Sequence, residues 1–157
     1  MTARAVAALV GGLLLSITPH MAAATPDGFL DQYLWRSRVL IAFAPSADDP
    51  ALVRQRRTLA DAGEAAAHER DLTLVEVTGD AVRTSGDGES VMSGTVAALR
   101  RRFAAPVGRF MAVLVGKDGG TKLVSVEPIS ADRLFTTIDA MPMRRREASD
   151  PGRRSPK

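Results

Sequence analysis

Val39-Leu40-Ile41-Ala42-Phe43-Ala44-Pro45-Ser46-Ala47-Asp48-Asp49-Pro50 is the stretch that decides the fold. Residues 39–44 are apolar, partly β-branched or aromatic, and Pro45 closes the run, which is the pattern of a short strand buried on both faces. Asp49 then offers a side-chain cap, and Pro50 is the residue best tolerated at a first helical position, so a helix starts there. Leu52, Leu59, Ala60, Gly63, Ala66 and Ala67 follow at helical spacing, with Arg54, Arg57, Asp61 and Glu64 on the other side. One face of that helix packs and the other meets water.

Working outward, Asp71 to Val77 carries Leu72, Leu74, Val75 and Val77 and predicts a second buried strand. Thr78 to Ser90, with Gly79, Gly86 and Gly88 among polar residues, reads as a loop. Val96, Leu99 and Phe103 mark a short amphipathic helix that ends at Pro106 and Gly108, and Arg100, Arg101 and Arg102 are assigned to its exposed side. Phe110 to Val115 is a continuous apolar run and predicts a central strand. Asp118-Gly119, within Lys117 to Gly120, predicts a hairpin whose two turn positions both take positive φ, with a return strand from Lys122 to Glu127. Ser130 caps a last helix with the stripe Leu134, Phe135, Ile138 and Met141, stopped by Pro142. The order strand-helix-strand-helix-strand-strand-helix predicts an α/β fold: a small mixed sheet with helices on both faces, two parallel crossovers and one antiparallel neighbour.

Met1-Thr2-Ala3-Arg4, the charge-free run Ala5 to Ile17, Pro19 and Ala22-Ala23-Ala24 have the layout of a secretory signal over residues 1–24, cleaved near Ala24. Its apolar run is shorter than the roughly 18 residues of a spanning helix. Removing 24 of the 157 residues leaves 133, enough for one domain with its own core, and the expected setting is periplasmic or secreted. The chain has no cysteine, which excludes thiol catalysis, disulfides and lipid attachment through sulfur. The formal charge of +3 has its excess in Arg144-Arg145-Arg146, Arg153-Arg154 and Lys157. Residues 148–157 read as a disordered basic tail that can touch an anionic membrane surface, although such tails are usually just solvated. An exported chain is not expected to meet nucleic acid.

After the signal one histidine remains, His68, at the wet end of the alanine-rich helix. With no cysteine beside it, a zinc or copper site of the usual ligands is excluded, and no metal or other cofactor is expected. Ser46, Asp48 and Asp49 are the least implausible catalytic groups, but carboxylates at a helix start also serve as caps. Asp80, Asp87 and Glu89 do not have the spacing of a calcium loop. Trp35, flanked by Arg36 and Arg38, is either a recognition platform or a cover for the sheet edge. Lys117, Lys122 and Arg144 are candidates for an anion-binding patch around the hairpin and the last helix.

The element order is similar to the minimal thioredoxin fold, in which chemistry sits where the first strand hands over to the first helix. Here that handover, Ala44 to Pro50, carries neither the paired cysteines of thioredoxins nor the peroxidatic cysteine of peroxiredoxins. Arg109-Phe110-Met111 likewise lacks the proline that thioredoxins place before the third strand. Trp35-Arg36-Ser37-Arg38-Val39-Leu40, Gly116-Lys117-Asp118-Gly119-Gly120 with Lys122-Leu123, and Leu134-Phe135 through Ile138-Asp139-Ala140-Met141-Pro142-Met143-Arg144 resemble a family known only as a domain of unknown function. Its bacterial members are small exported proteins, and related domains occur in animal extracellular-matrix proteins of the sushi-repeat and coiled-coil-domain-containing type. The resemblance covers Leu34 to Glu147; Val124 stands where relatives tend to carry a basic residue. It implies a thioredoxin-like scaffold and names no reaction. The expectation is a non-catalytic interaction module for a protein or anionic ligand, the alternative being an enzyme with its site at the first strand–helix junction.

Overall fold

The computed structural model describes residues 28–85, 89–91 and 93–150, so the expected signal and residues 151–157 of the tail lie outside it. β1 (Arg38–Ala44) is buried along its whole length. Successive strand side chains point to opposite faces. Val39, Ile41 and Phe43 enter one core, and Leu40, Ala42 and Ala44 enter the other. The helix after it is capped as expected: the Asp49 carboxylate accepts from the N–H groups of Ala51 and Leu52 at 2.9 and 3.1 Å. The single helix expected to run on through Ala67 is broken into α1 (Pro50–Ala62) and α2 (Glu64–Glu69), because Gly63 takes φ +87°, outside helical space. The chain returns as β2 (Leu72–Thr78), parallel to β1 with Leu40 opposite Leu74.

The segment expected to be a loop is largely sheet. Gly79 and Asp80 form a two-residue reversal from Thr78 to its partner Ala81, which starts β3 (Ala81–Thr84), and β4 (Glu89–Val91) pairs beyond it. Gly79 has φ +55°, and Ala81 and Val82 are buried. A Gly-Asp pair between Val77 and Val82 is a hairpin signal that the general polarity of the stretch conceals.

α3 (Ser93–Phe103) follows, with Val96 and Leu99 in the core. Its last turn is fastened to the end of β1, since Arg100 donates to the carbonyls of Ala44 and Pro106 at 3.3 and 2.9 Å. β5 (Met111–Val115) therefore begins beside the end of β1, with Met111 opposite Phe43, and must run back antiparallel. That replaces the second parallel crossover expected from the element order. The hairpin to β6 (Thr121–Ser125) also differs from expectation. It is a three-residue loop closed by Gly116 N–H to Gly120 O at 2.9 Å, and among its turn residues Gly119 alone takes positive φ, +75°.

The Ser130 hydroxyl caps α4 (Ala131–Asp139), which buries Leu134 and Ile138. Pro142 does not end helical structure. It opens α5 (Pro142–Ser149), since Met141 is extended and a proline at the first helical position loses no hydrogen bond. Helix thus takes in the first two residues, 148 and 149, of the expected tail.

The sheet order is β4-β3-β2-β1-β5-β6. α3 and the segment around Phe29 and Leu30 cover one face, and α1 and α4 cover the other. The α/β sheet with helices on both faces is as expected. α1 is tied down by Gln55, which is wholly buried. Its amide donates to the Ile129 carbonyl at 3.1 Å and accepts from the Ile129 N–H at 2.7 Å, standing in for a missing strand partner. Gln55→Leu orphans both buried backbone groups and is expected to cost about 2–4 kcal/mol in denaturant unfolding despite its greater hydrophobicity. Val124→Ala, at a half-exposed position, is expected to change stability by about 0.5 kcal/mol at most.

Candidate functional site

The two ends of β1 hold the side chains singled out above. At its carboxyl end, Asp49 is engaged by the cap, while Ser46 and Asp48 lie exposed in the connecting turn. A hydrogen bond from Ser46 holds the Asp48 carboxyl below the ordinary carboxylate range, which makes it a poor general base near neutrality. Neither residue lines the cavity of about 490 Å³ beside them. That cavity lies between Pro45, the Gly79–Asp80 turn, Val96, Ala97 and Arg100 of α3, and Val107–Gly108. The reading of Arg100 as a solvated surface residue is thereby corrected. Besides its two carbonyl bonds, its guanidinium lies over the Phe43 ring, 5.6 Å from the centroid, and burial pulls its pKa down. No carboxylate among the described residues pairs with it. Position 100 is one helical turn from Val96, at the margin of the apolar stripe, and that offset was the available signal.

At the amino end of β1, the quoted stretches converge. Arg38 is buried at 1% exposure and donates to the Arg70 carbonyl at 2.8 Å and to Glu147 Oε2 at 3.0 Å. Its Nε–H has no acceptor among the described residues. Lys117, 4% exposed, donates to Asp71 Oδ2 at 2.8 Å and to Glu147 Oε1 at 2.7 Å, so one carboxylate on α5 bridges β1 and the hairpin. Lys122 pairs with Asp118 at 2.6 Å; that bond outweighs burial and keeps the Asp118 carboxyl low. Arg38, Lys117 and Lys122 line one small cavity of about 110 Å³, with Gly116, Met141 and Met143.

Arg144 is turned to a second group of charges. It donates to Asp139 Oδ1 at 3.2 Å, to the Glu69 carbonyl at 2.9 Å and to Glu69 Oε1 at 2.6 Å. Arg70 takes the other side of Asp139 at 3.1 and 2.7 Å, with its guanidinium 4.5 Å over Phe135. Burial raises the Asp139 carboxyl, but the bonds from Arg70 and Arg144 outweigh it and leave the pKa below normal. Burial likewise lowers the Arg144 pKa, and Glu69 with Asp139 more than reverse that. Trp35 is 66% exposed, and its backbone N–H donates to the Lys117 carbonyl at 2.8 Å.

Three of the five predicted binding residues therefore do share a cavity, yet the cations there form no open basic patch. Each is matched by a carboxylate, of Glu147, Asp71 or Asp118, and Asp71 and Glu147 here, with Asp139 beside Arg144, are the partners that sequence reasoning missed. The matching follows from the cost of leaving a buried charge alone, several kcal/mol. The arrangement clamps α5 to the sheet.

Glu147→Ala leaves Arg38 and Lys117 short of a counter-charge, and we expect a loss of about 3–5 kcal/mol in unfolding free energy. Asp139→Asn acts at a more exposed pair and is expected to cost about 1 kcal/mol near neutrality. Because the folded-state pKa of Asp139 is depressed, its contribution is complete above the ordinary value of 3.8 and fades as the pH falls through the folded value. The difference between wild type and Asp139→Asn in thermal unfolding should accordingly shrink as the pH falls below 3.8.

Among solved structures, the chain is similar to a reduced 2-Cys peroxiredoxin of Plasmodium vivax, with a TM-score of 0.54 and 15% identity over 74% of this chain and 84% of that one. At that identity the likeness shows a thioredoxin-like fold alone, and the peroxiredoxin's sulfur has no counterpart in this sequence. A family model described as "Domain of unknown function (DUF4174)" matches residues 29–147, the sheet, both cores and the charged clamp together, and the chain belongs to that family.

Proposed function

We propose that this chain is a non-catalytic binding module of an exported compartment, with its ligand seat in the crevice at the carboxyl ends of β1 and β2. One observation carries the reading. At the corner where thioredoxin-like proteins hold their thiol, Asp49 is engaged as a helix cap and Ser46 and Asp48 stand in water, so no buried nucleophile, acid or base faces the neighbouring cavity. In α/β sheets ligands settle outside the carboxyl ends of parallel strands, where the chain parts to either side. The crevice lies there, and its volume is in the range of small-molecule sites. The signal-like residues 1–24 support the exported setting. The stretches between Leu34 and Glu147 support kinship with small exported bacterial proteins and with the animal matrix domains.

Anilinonaphthalene sulfonate, a fluorescent anion with an apolar body, is a suitable probe. We expect saturable fluorescence enhancement that Ala97→Trp, which fills the crevice, weakens by about tenfold or more, while Ser46→Ala and Asp48→Asn leave it unchanged. Ester or peptide hydrolysis that disappears with Ser46→Ala would establish the enzyme reading instead. For the compartment, the protein recovered from the periplasm or medium is expected to begin at Thr25. Full-length chain retained in the cytoplasm is the contrary result.

A further inference from the structure

We propose that the crevice takes a small monocarboxylate with an apolar body, and that Arg100 is the residue that recognises its charge. This rests on the binding reading above and names the ligand chemistry of the same site.

Among the described residues, Arg100 is the only cation in the lining of the crevice. A guanidinium has five N–H donors. The Ala44 and Pro106 carbonyls take one each, so three donors have no acceptor among the described residues. Those carbonyls and the Phe43 ring fix the side chain in place before any ligand arrives, which lowers the ordering cost of binding. They do not neutralise it. Each strongly buried cation described, Arg38, Lys117 and Arg144, meets at least one carboxylate, whereas half-buried Arg100 meets none among the described residues. A partly dehydrated cation without a counter-ion is stabilised by an incoming anion, and charge-assisted hydrogen bonds are the strong kind.

The remaining walls specify the rest of the ligand. Pro45, Val96, Ala97 and Val107 are apolar, and Val107, 86% exposed, offers its side chain at the mouth. Asp80 sits on the rim and disfavours an anion of higher charge such as phosphate. One fixed cation inside, apolar walls and one acid at the edge together fit a single carboxylate carried on an aliphatic or aromatic body.

Calorimetric and NMR titration of the signal-free protein with octanoate and, separately, with octanol tests this. We expect octanoate to shift the amides of Gly79, Ala97 and Gly108 and to bind about tenfold or more tightly than octanol. Arg100→Lys keeps the charge but loses the fork and should reduce that preference. Arg100→Met should abolish it. Val107→Asp, a surface change that leaves the fold alone, should weaken octanoate and spare octanol, which guards against a merely misfolded Arg100 variant. Equal binding of the two ligands, or inorganic phosphate binding as tightly as octanoate, would overturn the carboxylate assignment and leave the crevice as a binding site. If neither ligand perturbs those amides, both the assignment and the crevice reading fall.

Discussion

A strand removed from water along its whole length needs a hydrogen-bond partner at each edge and apolar cover on each face, and β1 is that strand. Its edges are satisfied by parallel β2 and antiparallel β5. Its alternating side chains divide the interior into two cores, one closed by α3 and the other by α1 and α4. Both candidate regions are consequences of where this strand stops. Arg38 begins it and anchors the charged clamp, and Ala44 ends it with a carbonyl that accepts a hydrogen bond from Arg100.

The electrostatics of the two ends differ, and burial explains why. Arg38 and Lys117 are almost completely dehydrated and lie within hydrogen-bonding reach of Glu147, with Asp71 completing the charge balance. Such a cluster adds little net stability over apolar packing, but it is costly to break and it places α5 in one position only. Arg100 keeps part of its surface in water and is held by carbonyl dipoles and a ring face rather than by an acid. The first arrangement is closed upon itself, and the second retains donors for something else.

The thioredoxin-like frame carries no chemistry with it. What such folds offer is a rigid edge where a parallel strand pair ends, and each member supplies its own groups there. In this chain the edge carries proline, glycine turns, valines, one arginine and one aspartate, so the physical resource available is shape and one charge of each sign.

Local signals were readable wherever a short stretch settles its own state. The apolar run at 39–44, the Asp49-Pro50 helix start, the Ser130 cap and the missing sulfur all follow from neighbouring residues alone, and with them come the α/β class and the exclusion of thiol chemistry. Direction and partnership were not readable in this way. β5 runs antiparallel because Arg100 fastens the end of α3 beside Ala44, a contact between residues 56 positions apart. Pro142 opens a helix because Glu147, five residues further on, finds Arg38 at a separation of 109 residues. Capping and periodicity depend on atoms a turn away along the chain, whereas the pairing of buried charges and the course of a crossover depend on which segments share a dehydrated space, and only the folded chain brings those segments together.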